Sequence, residues 1–173
     1  MYFAALLART EDGWQASDTE LDDVETLTDL TELARAASVD DDTVLALIEQ
    51  EDAWFGVVRL DGEDDPRIYV SDAAAAARSS YGSLLTDELL GQDDDPDADL
   101  DSLDLDGTEE GEPEHDEDDD PAADGRAPHG PLGDIALLVD LGVDEKELLS
   151  LDGDALSAIA DALGCTDVLE AVR

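Results

Sequence analysis

Along the first 91 residues the hydrophobic positions change rhythm several times, and each rhythm predicts an element. Tyr2 to Ala8 is mainly apolar and reads as a strand. Glu11-Asp12-Gly13 supplies a turn, and Trp14 to Ser17 begins a second strand. Val24, Leu27, Leu30, Leu33, Ala34 and Ala37 then recur at helical spacing, with Asp22 and Glu25 placed as a capping box ahead of them. Thr43 to Ile48 and Trp54 to Leu60 are apolar runs rich in strand formers, separated by the polar Gln50-Glu51-Asp52. Asp61 to Pro66 is a loop, and Ile68-Tyr69-Val70 is a short third strand of this group. Ser71 and Asp72 can cap a second helix, which opens on Ala73 to Ala77 and continues to Leu90, with Gly91 as its stop. The order is ββαβββα. Short links favour antiparallel pairing, so the expected class is α+β, a small antiparallel sheet with helices on one face.

Residues 131–173 return to helical spacing. Asp134 can cap a helix bearing Ile135, Leu138, Val139 and Leu141. Asp144 and Glu147 have capping-box spacing before Leu148 and Leu149. Asp152 or Asp154 can start a third helix with Leu156, Ile159, Ala160 and Leu163, stopped by Gly164. At 43 residues this segment is near the lower limit for independent folding, so it docks either on the first segment or on a partner.

Between the two lies a different kind of sequence. Residues 92–124 hold 13 Asp and 5 Glu with no Lys or Arg, and Pro96, Pro113 and Pro121 interrupt them. Like charges at this density repel, and the sparse apolar residues, Leu100, Leu103 and Leu105, cannot offset the entropy of ordering. The expected organisation is a 1–91 α+β domain, a 92–130 disordered acidic linker and a 131–173 small helical segment.

Acidity extends over the whole chain: 50 Asp and Glu stand against 8 Lys and Arg, a formal charge of −42. Nucleic-acid affinity comes largely from basic groups displacing counterions, so direct binding of DNA or RNA is disfavoured, as is an anionic membrane surface. The same charge suits solubility or a basic protein partner equally well. The single cysteine, Cys165, rules out an internal disulfide framework. The apolar opening residues are short and lack a basic leader, and no run is long enough to span a bilayer; the expected address is the cytoplasm.

The search for chemistry yields no catalytic, cofactor-binding or metal-binding residue. His115-Asp116-Glu117 has the H-x-E form of zinc deaminases, but those need a further pair of cysteines, and the chain has one. Around Gly107 an EF-hand would require ligands from Ser102, Asp104 and Asp106 and a glutamate where Pro113 stands. No phosphate-binding glycine loop is present. Cys165 lies among small and apolar residues, which reads as a buried structural thiol, and His129 reads as an exposed loop residue. Trp14, Trp54, Phe55, Tyr69 and Tyr81 are expected in the core, with one or two available as interface anchors. Arg59, Arg67 and Arg78 are expected to pair internally with acids.

Two further groups of residues resemble a known family. Tyr2-Phe3-Ala4-Ala5-Leu6-Leu7-Ala8-Arg9 with Gly13-Trp14, then Asp52-Ala53-Trp54-Phe55-Gly56-Val57-Val58-Arg59, and above all Asp65-Pro66-Arg67-Ile68-Tyr69-Val70-Ser71-Asp72 with its alanine run and Arg78, resemble the actinobacterial tRNA adenosine deaminase-associated proteins. Gly133-Asp134, Asp140-Leu141-Gly142 and Leu163-Gly164 resemble the C-terminal part of the same family. The resemblance implies association with the enzyme that converts adenosine to inosine in the tRNA anticodon. It implies no catalytic residue and no cofactor. The expected function is a non-catalytic accessory protein of that deaminase. The alternatives are an acidic nucleic-acid mimic that binds basic proteins, and an enzyme working with carboxylates alone.

Overall fold

A computed structural model describes residues 2–18, 21–38, 42–50, 53–92, 129–151 and 154–172. Nearly all of the expected acidic linker, including Leu100, Leu103, Leu105 and His115, lies outside the described residues.

The described residues form a six-stranded antiparallel sheet of order β2-β1-β3-β4-β5-β6. The strands are β1 (Tyr2–Thr10), β2 (Gly13–Asp18), β3 (Val44–Gln50), β4 (Trp54–Leu60), β5 (Arg67–Val70) and β6 (Leu132–Gly133). The helices are α1 (Leu27–Ala37), α2 (Ala73–Ala77), α3 (Ser80–Gln92), α4 (Glu145–Ser150), α5 (Ala155–Leu163) and α6 (Thr166–Val172).

Period-two alternation sorts the strand residues onto two covered faces. Leu6, Val44, Ala46, Ile48, Val58 and Ile68 point to one side, where Leu30 and Ala34 of α1, Ala76 of α2 and Leu85 of α3 cover them. Ala5, Leu7, Leu45, Leu47, Val57 and Tyr69 point to the other, against Leu148 of α4, Leu156 and Ile159 of α5 and Leu169 of α6. The helices of the first segment therefore lie on one face, as the pattern predicts. The C-terminal segment docks on the first: it adds β6 beside β5 and lays a second helical layer on the opposite face. The apolar runs of β3 and β4 are continuous because both faces of those strands are buried.

Three local expectations are corrected. Helix α1 starts later than the Asp22–Glu25 spacing suggests. Thr26 is its cap: Thr26 Oγ1 accepts the Asp29 N–H at 3.2 Å and the Asp29 carboxylate accepts the Thr26 N–H at 3.0 Å. The hydrogen bond from the Thr26 hydroxyl, followed by those from the Glu25 and Thr26 backbone, holds the Asp29 carboxyl below its ordinary value. The helix expected over 73–90 is two helices. Buried Ser79 separates them, sharing a 2.7 Å hydrogen bond with the Tyr2 hydroxyl and accepting the Gly82 N–H at 3.2 Å. Such a side chain competes with continued helix. Gly82 then passes so close to the Ala76 backbone that a β-carbon would collide with it.

The third correction concerns Asp134, which caps no α-helix. Its carboxylate accepts the Ala136 N–H at 2.9 Å in a tight turn between β6 and a 3-10 turn at Val139–Leu141. Of the other C-terminal signals, Asp154 stands at the N-cap of α5 without a side-chain capping hydrogen bond, and Asp152 lies outside the described residues. Asp144 and Glu147 form a capping box on α4, and Gly164 ends α5 in the left-handed conformation.

Candidate interaction surface

The basic residues show how the surface charge is arranged. Arg59 is the sixth residue of β4 and its side chain is 7% exposed. Its guanidinium donates to Asp61 at 2.9 Å, to Asp140 Oδ2 at 2.8 Å and to the Leu137 carbonyl. Asp61 in turn accepts the Thr43 hydroxyl at 2.7 Å. An arginine inside an apolar strand demands such partners, since a buried unpaired charge is costly. Arg67, at the edge of the sheet, pairs with Asp134 at 2.9 Å. Both pairs join the first segment to the C-terminal one. Arg78 is the C-cap residue of α2, with an exposed side chain.

The Arg59 guanidinium also holds the Asp140 carboxyl below its ordinary value, through its hydrogen bond first, against a smaller opposing effect of burial. A depressed folded-state pKa contributes stability above the unfolded value, near 4, and loses it as pH falls through the folded value. Asp140→Asn should therefore flatten the decline in stability below about pH 4 relative to the unaltered chain. Urea midpoints measured from pH 7 down to pH 3 test this; parallel profiles would contradict it.

The aromatic residues are core or near-core. Trp54 and Phe55 are adjacent on β4 and enter opposite faces. The Trp54 indole N–H donates to Gln50 at 2.9 Å, and Phe55 lies 5.8 Å from buried Tyr69. Trp14 is half-buried against the C-terminal helical layer. Tyr81 meets Tyr2 edge-on at 5.0 Å, and Tyr2 is among the few large apolar side chains left exposed. Cys165 is buried, and burial pushes its thiol up to about 11, so it stays protonated at neutral pH. His129 is exposed.

What remains for the surface is strongly acidic even without the 93–128 stretch. The described residues include 26 Asp and Glu against six Arg and Lys, and Arg59 and Arg67 are committed to internal pairs. Among the described residues no three His, Cys, Asp or Glu side chains gather to hold a metal ion, and no helix is long and apolar enough to cross a membrane.

Two of the grooves formed by the described residues bear on this surface. One, of about 460 Å³, runs between Leu89 of α3 and the β5–β6 edge, with the Arg67–Asp134 pair in its wall. The other, of about 470 Å³, lies between α4 and α5.

A family model described as Rv3753c-like tRNA adenosine deaminase-associated protein matches residues 2–166. The chain belongs to that family. The match runs through both segments that build the sheet. No curated protein and no solved structure matches the chain significantly.

Proposed function

We propose that this chain is a non-catalytic accessory protein that binds a tRNA adenosine deaminase on the basic surface the enzyme presents to tRNA. The observation that carries the reading is the acidity of the folded body itself, 26 acids against six bases, in a member of a deaminase-associated family. A tRNA-binding enzyme offers clustered Lys and Arg, and an acidic surface is electrostatically complementary to them. The sequence supports the non-catalytic part. A zinc deaminase of the H-x-E…P-C-x-x-C type draws two ligands from its cysteine pair, and this chain has one cysteine, buried at the start of α6.

The test is a binding assay with purified deaminase, tRNA and this chain. Binding of the chain and of tRNA should be mutually competitive. Both should weaken as salt rises, since screening acts within about 8 Å at physiological ionic strength. The chain alone should form no inosine from tRNA. A ternary complex in which tRNA and this chain bind without interference would overturn the competitive mode, and inosine formed by the chain alone would overturn the accessory role.

A further inference from the structure

The groove between α4 and α5 has a composition that selects its occupant. Helical spacing builds it: Glu147 and Leu151 stand on one face of α4 and its end, while Ala158, Asp161 and Ala162 stand on the facing side of α5. Val143 and Leu151 give apolar walls, and the two alanines leave the space open. The charged residues lining it are Glu147 and Asp161, both acidic. The Glu147 carboxylate is held in place, because it also accepts the Asp144 N–H at 3.2 Å. Elsewhere on the same segment, outside the groove lining, Leu149 and Val139 are 46% and 47% exposed.

A trough with aliphatic walls and a carboxylate on each bank fits a long side chain with an apolar stem and a cationic head. Arginine meets this better than lysine: its guanidinium is less strongly hydrated and its planar fork matches the geometry of a carboxylate. Anionic groups, including phosphate, are repelled. We infer that the α4–α5 groove receives an arginine side chain from the basic surface of the protein partner. This rests on the partner reading above, and it makes the groove the specific contact within a broad electrostatic attraction.

The test compares Asp161→Arg with Asp87→Arg in the full chain, measuring equilibrium binding to purified tRNA adenosine deaminase. Asp87 lies exposed on α3, on the opposite face of the sheet, and both changes alter the net charge equally. Asp161 is in the last turn of α5, where a cation suits the helix, so the fold should persist; urea midpoints check this. Asp161→Arg should weaken binding by about 10-fold or more, and Asp87→Arg by less than about 3-fold. Asp161→Asn, which keeps the shape, should fall between them. Equal losses at positions 161 and 87, or no loss at 161, would overturn the groove while leaving the association intact. Failure of the unaltered chain to bind the deaminase would overturn both.

Discussion

Gly133→Ala should cost about 3 kcal/mol or more of folding stability and loosen the C-terminal helical layer from the sheet. Gly133 pairs with Tyr69 in the β5–β6 ladder at a φ of +104°, a conformation that L side chains rarely adopt. An added β-carbon would also press into the Ile68 carbonyl, which is backbone and cannot swing aside. Either β6 leaves β5 or β5 itself moves, and β5 carries buried Tyr69 and Val70. The measurement is urea denaturation at neutral pH in a Trp54→Phe background. That leaves Trp14, packed against the C-terminal layer, as the sole indole. A midpoint and emission maximum unchanged from the Gly133 parent would contradict the assignment.

Arg59→Met should cost about 2–3 kcal/mol, and Asp140→Asn about 1 kcal/mol or less. The difference follows from burial. The Arg59 side chain is 7% exposed, whereas Asp140 is 58% exposed and can turn to water when its partner is lost. Methionine keeps the apolar stem but removes the donor to the Leu137 carbonyl and the cation shared by Asp61 and Asp140. Asp140→Asn leaves Arg59 bonded to Asp61 and Leu137. Equilibrium unfolding of the two single variants and the double variant gives the coupling directly. If the asparagine variant lost more than the methionine variant, the network would be anchored from the wrong end.

The first segment is legible in the sequence because its rhythms are local. Gly13 at the β1–β2 turn, the alternation along the strands and the Asp72 cap each act within a few residues. The C-terminal segment is legible as helices through Asp144, Glu147 and Gly164, but its place is not, because pairing of β6 with β5 spans some sixty residues of chain. A signal for that place does exist. Thr43 to Ile48 and Trp54 to Leu60 have few polar positions on either face, so each strand needs cover on both sides, and α1, α2 and α3 cover only one. Arg59, set within one of those runs, signals a buried acidic partner, yet nothing local picks Asp140. The Asp22–Glu25 spacing misleads because Thr26 and Asp29 offer the same chemistry one turn later. The groove between α4 and α5 is invisible before the helices are packed, since its two carboxylates sit on different elements and acids are everywhere in this chain.

Covering one sheet face with residues that arrive last has a consequence during synthesis. The β1–β5 sheet and its first helical layer are complete in sequence once residue 92 has left the ribosome, but Leu7, Leu45, Leu47, Phe55, Val57 and Tyr69 then lack the C-terminal layer that covers them. At ~5–20 residues per second the ribosome needs several seconds to deliver α4, α5 and α6. The stretch translated in that interval is the 93–124 run of acids, whose charge opposes the approach of another nascent chain carrying the same tail. The order of segments thus sends a polyanionic stretch out of the ribosome directly behind a sheet whose second face is still bare.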